Sequence, residues 1–226
     1  IGPVVFSEVH LRPWTVFDLG RAGSGQFLEL ANVTDRPVPL YDPEAPTNRW
    51  RLEGSVRFTF PPGFTLPAGG VVLLVDFDPD RQLEELEWFR NTYQVSGSMP
   101  ILGPWIGELN PTQVTVELLK PDPPQRPPHP DAGFVPYVLV EYVHYKAAPL
   151  GPWVSPSPGQ SLQRANLRGF GNEPLHWFTG PPTPGSTHVP DTDGDGLPDW
   201  WESQMGLDPF QAAGAHGWNG DPDGDG

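Results

Sequence analysis

Residues 49–76 read RWRLEGSVRFTFPPGFTLPAGGVVLLVD, and this stretch decides the fold class. Arg49–Leu52 and Val56–Phe60 alternate apolar and polar side chains, the two-residue period of a half-buried strand, with Gly54 between them. Phe60-Pro61-Pro62-Gly63 and Leu66-Pro67-Ala68-Gly69-Gly70 are turns, because proline presets φ and glycine accepts positive φ. Val71–Asp76 is a short apolar run of the kind that forms a buried strand.

The same punctuated pattern extends in both directions. Val4–Leu11 (VVFSEVHL) and Gln26–Ala31 (QFLELA) read as strands before it. Thr112–Leu119, Val135–Tyr145, Ser161–Ala165 and Leu175–Phe178 read as strands after it. Asp78–Tyr93 is the exception, a short helix with Asp78 as its cap, Pro79 in its first turn and Leu83, Leu86 and Phe89 as its apolar stripe. Glu84, Glu85 and Glu87 then form its solvated face. Lys120–Pro130 (KPDPPQRPPHP) predicts an extended, polyproline-like segment or a stiff surface hairpin. The chain holds 26 Gly and 32 Pro in 226 residues, which excludes a helical bundle. Each interior proline costs a helix about 3 kcal/mol. Nine Trp and 12 Phe still supply a core. Trp50, Trp105, Trp153 and Trp177 lie beside strand or turn signals and read as packing residues. The expected class is all-β, an antiparallel sandwich with one short helix insertion.

The formal charge is −15, so nucleic acid, which needs clustered Lys and Arg, is not an expected partner. The charge is uneven. Residues 191–226 carry nine acids and no base, whereas residues 1–190 carry nineteen acids and thirteen bases. A local acidic block of this kind suggests a bound cation. There is no cysteine, which excludes disulfides, zinc thiolates and thiol nucleophiles. No run approaches the ~20 apolar residues of a membrane span. No signal peptide is visible, and the chain reads as a processed or partial one.

No catalytic constellation emerges. HExxH, G-x-S-x-G, a Walker loop and G-x-G-x-x-G are all missing from the sequence. His10, His129, His144, His176, His188 and His216 are scattered, with no spacing that suggests joint metal binding. Asn32-Val33-Thr34 is a glycosylation sequon, read first as a turn after a strand. The expectation is a protein that is not an enzyme.

Residues 1–187 form the expected sandwich and 188–226 a separate acidic region, with Pro181–Pro190 as the boundary. In Asp191-Thr-Asp193-Gly-Asp195-Gly196-Leu197-Pro198-Asp199-Trp-Trp-Glu202, oxygen ligands fall at loop positions 1, 3, 5, 9 and 12, with Gly at position 6. Ca²⁺ takes six to eight hard oxygens. Asp191, Asp193 and Asp195 converge, Gly196 allows the sharp turn, and Leu197 offers its carbonyl. Asp199 binds directly or through water, and Glu202 closes the shell with both oxygens. Pro181–Pro190 cannot supply an entering helix, so the unit is a loop with one exit helix, Pro198–Met205. A second loop starts at Asp221, Asp223 and Asp225, and its remaining ligands come from chain continuation or another segment.

Two resemblances follow from these residues. VVFSEVHLRP, GQFLELANVTDRPVPL and NRWRLEGSVRFTFPPGFTLPAGGVVLLVDFDP, with ILGPWIGELNPTQVTVELL, PWVSPSPGQSLQR and GNEPLHWFTGPPTPG, resemble the lamin-tail domain of bacterial secreted and surface proteins over residues 4–185. That family implies an immunoglobulin-like β-sandwich without catalytic residues, used in adhesion or tethering. The acidic loops resemble thrombospondin type 3 and dockerin-like calcium repeats. The expected protein is therefore an extracellular, cell-surface structural module that binds Ca²⁺ and contacts copies of itself or other surface proteins. The alternatives are a carbohydrate-binding or adhesion module, with Trp105, Trp153 and Trp218 as stacking candidates and a glycan as partner, or an accessory domain of a larger secreted enzyme.

Overall fold

Residues 49–76 fold as their alternation requires, and the strands on either side join them in two facing sheets. The computed structural model describes residues 2–13, 24–186, 191–195 and 199–212. In chain order the strands are β1 (Val4–His10), β2 (Phe27–Asn32), β3 (Val38–Pro39), β4 (Tyr41–Asp42), β5 (Ala45–Arg49), β6 (Arg51–Gly54), β7 (Val56–Thr59), β8 (Thr65–Leu66) and β9 (Val71–Val75). Helix α1 (Leu83–Tyr93) follows, then β10 (Ile101–Leu102), β11 (Ile106–Gly107), β12 (Gln113–Pro121), β13 (Tyr137–Lys146), β14 (Ser161–Arg164) and β15 (Trp177–Gly180). One sheet runs β10-β9-β2-β1-β14-β15 and the other β11-β7-β6-β12-β13. Among the described strands, the ladders in both sheets are antiparallel except the short parallel pair β9–β10. The protein is an all-β sandwich. The chain divides into two compact units, Ile1–Ser186 and Thr187–Gly226.

The core lies between the sheets. Phe6 of β1, Leu28 and Leu30 of β2 and Leu74 of β9 meet Leu52 of β6, Val116 and Leu118 of β12 and Tyr145 of β13. Each such side chain contributes about 1.5–3 kcal/mol on burial. Trp50, Trp105, Trp153 and Trp177 belong to the same core and are at most 5% exposed. Gly54 closes the β6–β7 hairpin at φ 107°, where a side chain would run into the Thr115 carbonyl of β12.

A β-bulge between Phe6 and Glu8 interrupts the β1–β2 register. One extra residue reverses the facing of all that follow. Val4 and Phe6 point into the core, and beyond the bulge Val9 and Leu11 do so. Glu8 and His10 therefore lie on the outer face of the six-stranded sheet, opposite Glu29 and Phe27 of β2. This outer face is not solvated. Phe27, Leu73, Val75 and Phe77 form a second apolar cluster with Phe89 of α1, Val95 and Ile101.

Helix α1 differs from its expected form in two ways. It begins at Leu83, and Asp78 instead caps a preceding turn, accepting from Asp80 N and Arg81 N while Gln82 Oε1 accepts from Asp78 N. The buried stripe is Glu85 and Phe89, one turn apart, while Leu83 is exposed. Glu85 thus leaves the solvated face assigned to it. At the other end, residues 174–176 form a 3-10 turn before β15, where a strand start was expected. The Pro-rich segment is a surface hairpin tip, with Gln125 N bonded to Phe134 O and Gly133 N to Gln125 O.

Candidate functional site

In the second unit, Asp191, Asp193 and Asp195 bring one carboxylate oxygen each within 4.8 Å of one another. The loop's own backbone builds this convergence. Asp191 Oδ1 accepts from Gly194 N at 2.9 Å, and Asp193 Oδ1 accepts from Asp195 N at 3.2 Å. Gly194 makes the tight turn between them at φ 74°, a conformation that disfavours any side chain. Asp199 opens helix α2 (Asp199–Met205) and turns back on the loop, accepting from Thr192 N and Thr192 Oγ1 at 2.6 Å each. It holds the loop's second residue, a role that spacing alone did not disclose for Thr192.

Glu202 lies one turn further along α2 and is fully shielded from solvent. Neither of its carboxylate oxygens has a hydrogen-bond partner among the described residues, and neither has Asp193 Oδ2. Loss of hydration pushes the Glu202 carboxyl up from its ordinary range, and the charges of Asp193, Asp195, Asp199 and Asp191 push it further. The five carboxylates therefore share one neighbourhood. Carboxylate oxygens that converge in this way are the ligand type of a hard cation. Gly196 and Leu197, and Asp221, Asp223 and Asp225 of the second loop, lie outside the described residues, as do His188, His216 and Trp218.

The sandwich holds a different set of ionisable groups, which spacing did not single out. Glu8 and Glu29 are register partners on β1 and β2, and both are buried. Glu29 accepts from Ser7 Oγ at 2.6 Å and Gly185 N at 2.6 Å. Glu8 accepts from Ser161 Oγ at 2.5 Å and Thr183 N at 3.0 Å. Burial, and then the Glu29 charge, push the Glu8 carboxyl up to about 8, and burial pushes Glu29 up to about 7. The pair clasps residues 183–185 to the outer face. His10 sits beside them, its Nδ1 donating to Gln160 O at 3.1 Å. Burial lowers its pKa to about 4, so the ring is neutral at pH 7.

The sequon is structural. Asn32 is 2% exposed, and its amide donates to the carbonyls of Arg36, Leu66 and Pro67 at 2.7–3.1 Å. Its Oδ1 accepts from Thr34 N and Oγ1. Asn32→Ala is expected to lower the stability of the sandwich by about 1–3 kcal/mol, the cost of leaving such buried groups unpaired. Urea unfolding measures this, and a change below about 0.5 kcal/mol would contradict it.

No family model matches the chain, and a search of curated proteins finds no match.

Proposed function

We propose that this chain is a non-catalytic structural module of the cell exterior, a lamin-tail-like sandwich followed by a Ca²⁺-binding acidic unit. The observation that carries this reading is Glu202, shielded from solvent with two oxygens unpartnered among the described residues, and within the electrostatic reach of the converged carboxylates of Asp191, Asp193 and Asp195. Like charges brought this close repel one another, and a cation of six to eight oxygen ligands relieves that repulsion. Glu202 supplies the two-oxygen contact that suits Ca²⁺ better than the smaller, rigidly octahedral Mg²⁺. Sites in extracellular modules fill at about 10⁻⁴–10⁻³ M calcium, a range found outside cells. Asp221, Asp223 and Asp225 would serve a second site at a junction with the following segment or another copy. Stacking of sugars on Trp105 or Trp153 receives no support, since both rings are in the core.

Calorimetric titration of the whole chain with CaCl₂ tests the reading. Saturable binding is expected, with Glu202→Gln weakening it about tenfold or more, because one charge and one two-oxygen contact are altered. Sedimentation with calcium and with chelator reads self-association. Absence of heat at millimolar calcium would sink the metal site, and a monomer under both conditions would sink the self-assembly.

A further inference from the structure

Pro181-Pro182-Thr183-Pro184-Gly185 lies as a strap on the outer face of the six-stranded sheet. Proline has no N–H, so Thr183 and Gly185 carry the backbone donors of this stretch. Both donors go to buried carboxyls of the sheet. Thr183 N donates to Glu8 Oε1 at 3.0 Å and lies 3.3 Å from Oε2, which Thr183 Oγ1 reaches at 3.4 Å. Gly185 N donates to Glu29 Oε2 at 2.6 Å. Gln163 Nε2 holds the start of the strap through Pro181 O at 2.5 Å. Gly185 turns at φ 91° over the Met99 methyl, where a side chain would collide with it.

No base offsets the carboxyl pair among the described residues. On β1, His10 is neutral and donates to Gln160 O, and Arg12 just beyond the strand donates to Pro156 O at 3.4 Å. Helix α1, packed on the same face, brings Glu85, Arg90 and Tyr93. Arg90 donates to the carbonyls of Ser96 and Met99, and Tyr93 to Gly25 O. Asp76, after β9, accepts from Ser24 N. On β14, Ser161 and Gln163 are neutral, and Arg164 is engaged with Glu141. One negative charge on the pair is met by the donors of Ser7, Ser161, Thr183 and Gly185. Two like charges enclosed together have only water left to stabilise them. Lifting the strap admits that water. It disturbs little else, because Pro184 alone is buried among residues 181–186, and the strap closes the first unit. A cleft of about 430 Å³ borders Pro181 and Pro182, so the start of the strap already meets open space.

We propose that residues 181–186 are a pH-operated latch, fastened while Glu8 and Glu29 retain a proton between them and lifted when both are ionised, with the two sheets still folded. The fastened state binds more protons than the open one, so rising pH favours opening. The carboxyls titrate at about 8 and about 7, which places release in mildly alkaline solution. Release adds residues 181–186, roughly 20 Å of extended chain, to the connector before the second unit. The latch uses neither calcium nor the acidic unit.

Amide hydrogen exchange of the full chain in chelator, read by nuclear magnetic resonance at pH 5.5 and pH 8.5, tests the latch. Protection is taken relative to an unstructured peptide at each pH. For Thr183 and Gly185 it is expected to fall about a hundredfold or more, since each carboxyl that loses its proton on opening adds up to about tenfold per pH unit. At pH 8.5 both amides are expected to exchange at least about tenfold faster than Leu30 and Val116 of the core. Glu8→Gln combined with Glu29→Gln keeps the acceptors and removes both charges, and is expected to hold the fall below about threefold. The latch is overturned if strap protection is equal at the two pH values. It is also overturned if strap and core exchange together, which is global unfolding, or if the double variant loses protection as the wild type does. The first two outcomes are read on the wild-type chain alone, and the chelator keeps them distinct from failure of the calcium site.

Discussion

Raising the pH from 4.5 to 8.5 is expected to destabilise the sandwich by several kcal/mol. The cause is the buried pair Glu8 and Glu29, whose carboxyls are raised from 4.5 to about 8 and about 7. Over that interval the folded chain binds more protons than the unfolded chain, so deprotonation favours unfolding. Their contribution is complete below pH 4.5 and lost as pH rises through 7 and 8. His10 has the opposite sign. Its pKa falls from 6.5 to about 4, so its contribution is lost as pH drops through that window. Two carboxyls oppose one imidazole between 4.5 and 6.5, and above 6.5 the carboxyls act alone. The net loss is on the order of 3–5 kcal/mol, at about 1.4 kcal/mol for each tenfold change in proton affinity and allowing for relaxation of the clasp. Glu8→Gln retains an acceptor for Ser161 and Thr183 and removes one charge. It is expected to flatten the profile and raise stability at pH 8.5. Urea midpoints across the range decide the matter. A wild-type midpoint that stays level or rises towards pH 8.5 would refute the assignment.

That clasp also shows what a linear reading misses. VVFSEVHL and QFLELA disclose their strands, because apolar residues dominate and alternate. They do not disclose that Glu8 and Glu29 are inside. Three of the four partners that make burial tolerable, Ser161, Thr183 and Gly185, are more than 150 residues away in sequence, and the fourth, Ser7, is brought to Glu29 only by strand pairing. The bulge that turns Glu8 and His10 outward is equally silent, since it depends on pairing with β2. A charged residue in an otherwise apolar strand was the available signal. Glu85 is a related case. Helical periodicity placed it among exposed acids, but the outer sheet face against α1 buries it beside Phe89. The acidic loop was more legible because its residues interact locally. Asp191, Asp193 and Asp195 converge through bonds spanning two or three residues. What spacing did not reveal was the use of both Asp199 oxygens on Thr192.

Arg164→Met is expected to cost about 3–5 kcal/mol, the usual result of removing one member of a buried ion pair. Arg164 is the hub of the loop between β14 and β15. Its guanidinium donates to Glu141 Oε2 at 3.3 Å, Phe6 O at 3.0 Å, Gly169 O at 2.7 Å and Asn166 O at 3.2 Å. It also lies 5.9 Å from the Trp177 ring centre. Both partners are almost fully withdrawn from water, with side chains 0% and 4% exposed. The Glu141 carboxyl is nevertheless raised, because burial outweighs the attraction of Arg164. Desolvation lowers Arg164 for the same reason. The ion pair therefore recovers less than its own hydration cost, and its value lies in the carbonyls it satisfies. This separates two variants. Glu141→Leu on the Arg164→Met background removes the stranded carboxyl and is expected to recover part of the loss. Full recovery is not expected, because the carbonyls of Phe6, Asn166 and Gly169 still lack their donor, at about 1–3 kcal/mol for each that stays dry. Chemical unfolding of the two variants and the wild type measures both contributions. If Arg164→Met lies within about 1 kcal/mol of wild type, the hub has no structural weight. If the double variant returns to wild-type stability, the ion pair alone mattered and the carbonyl bonds did not.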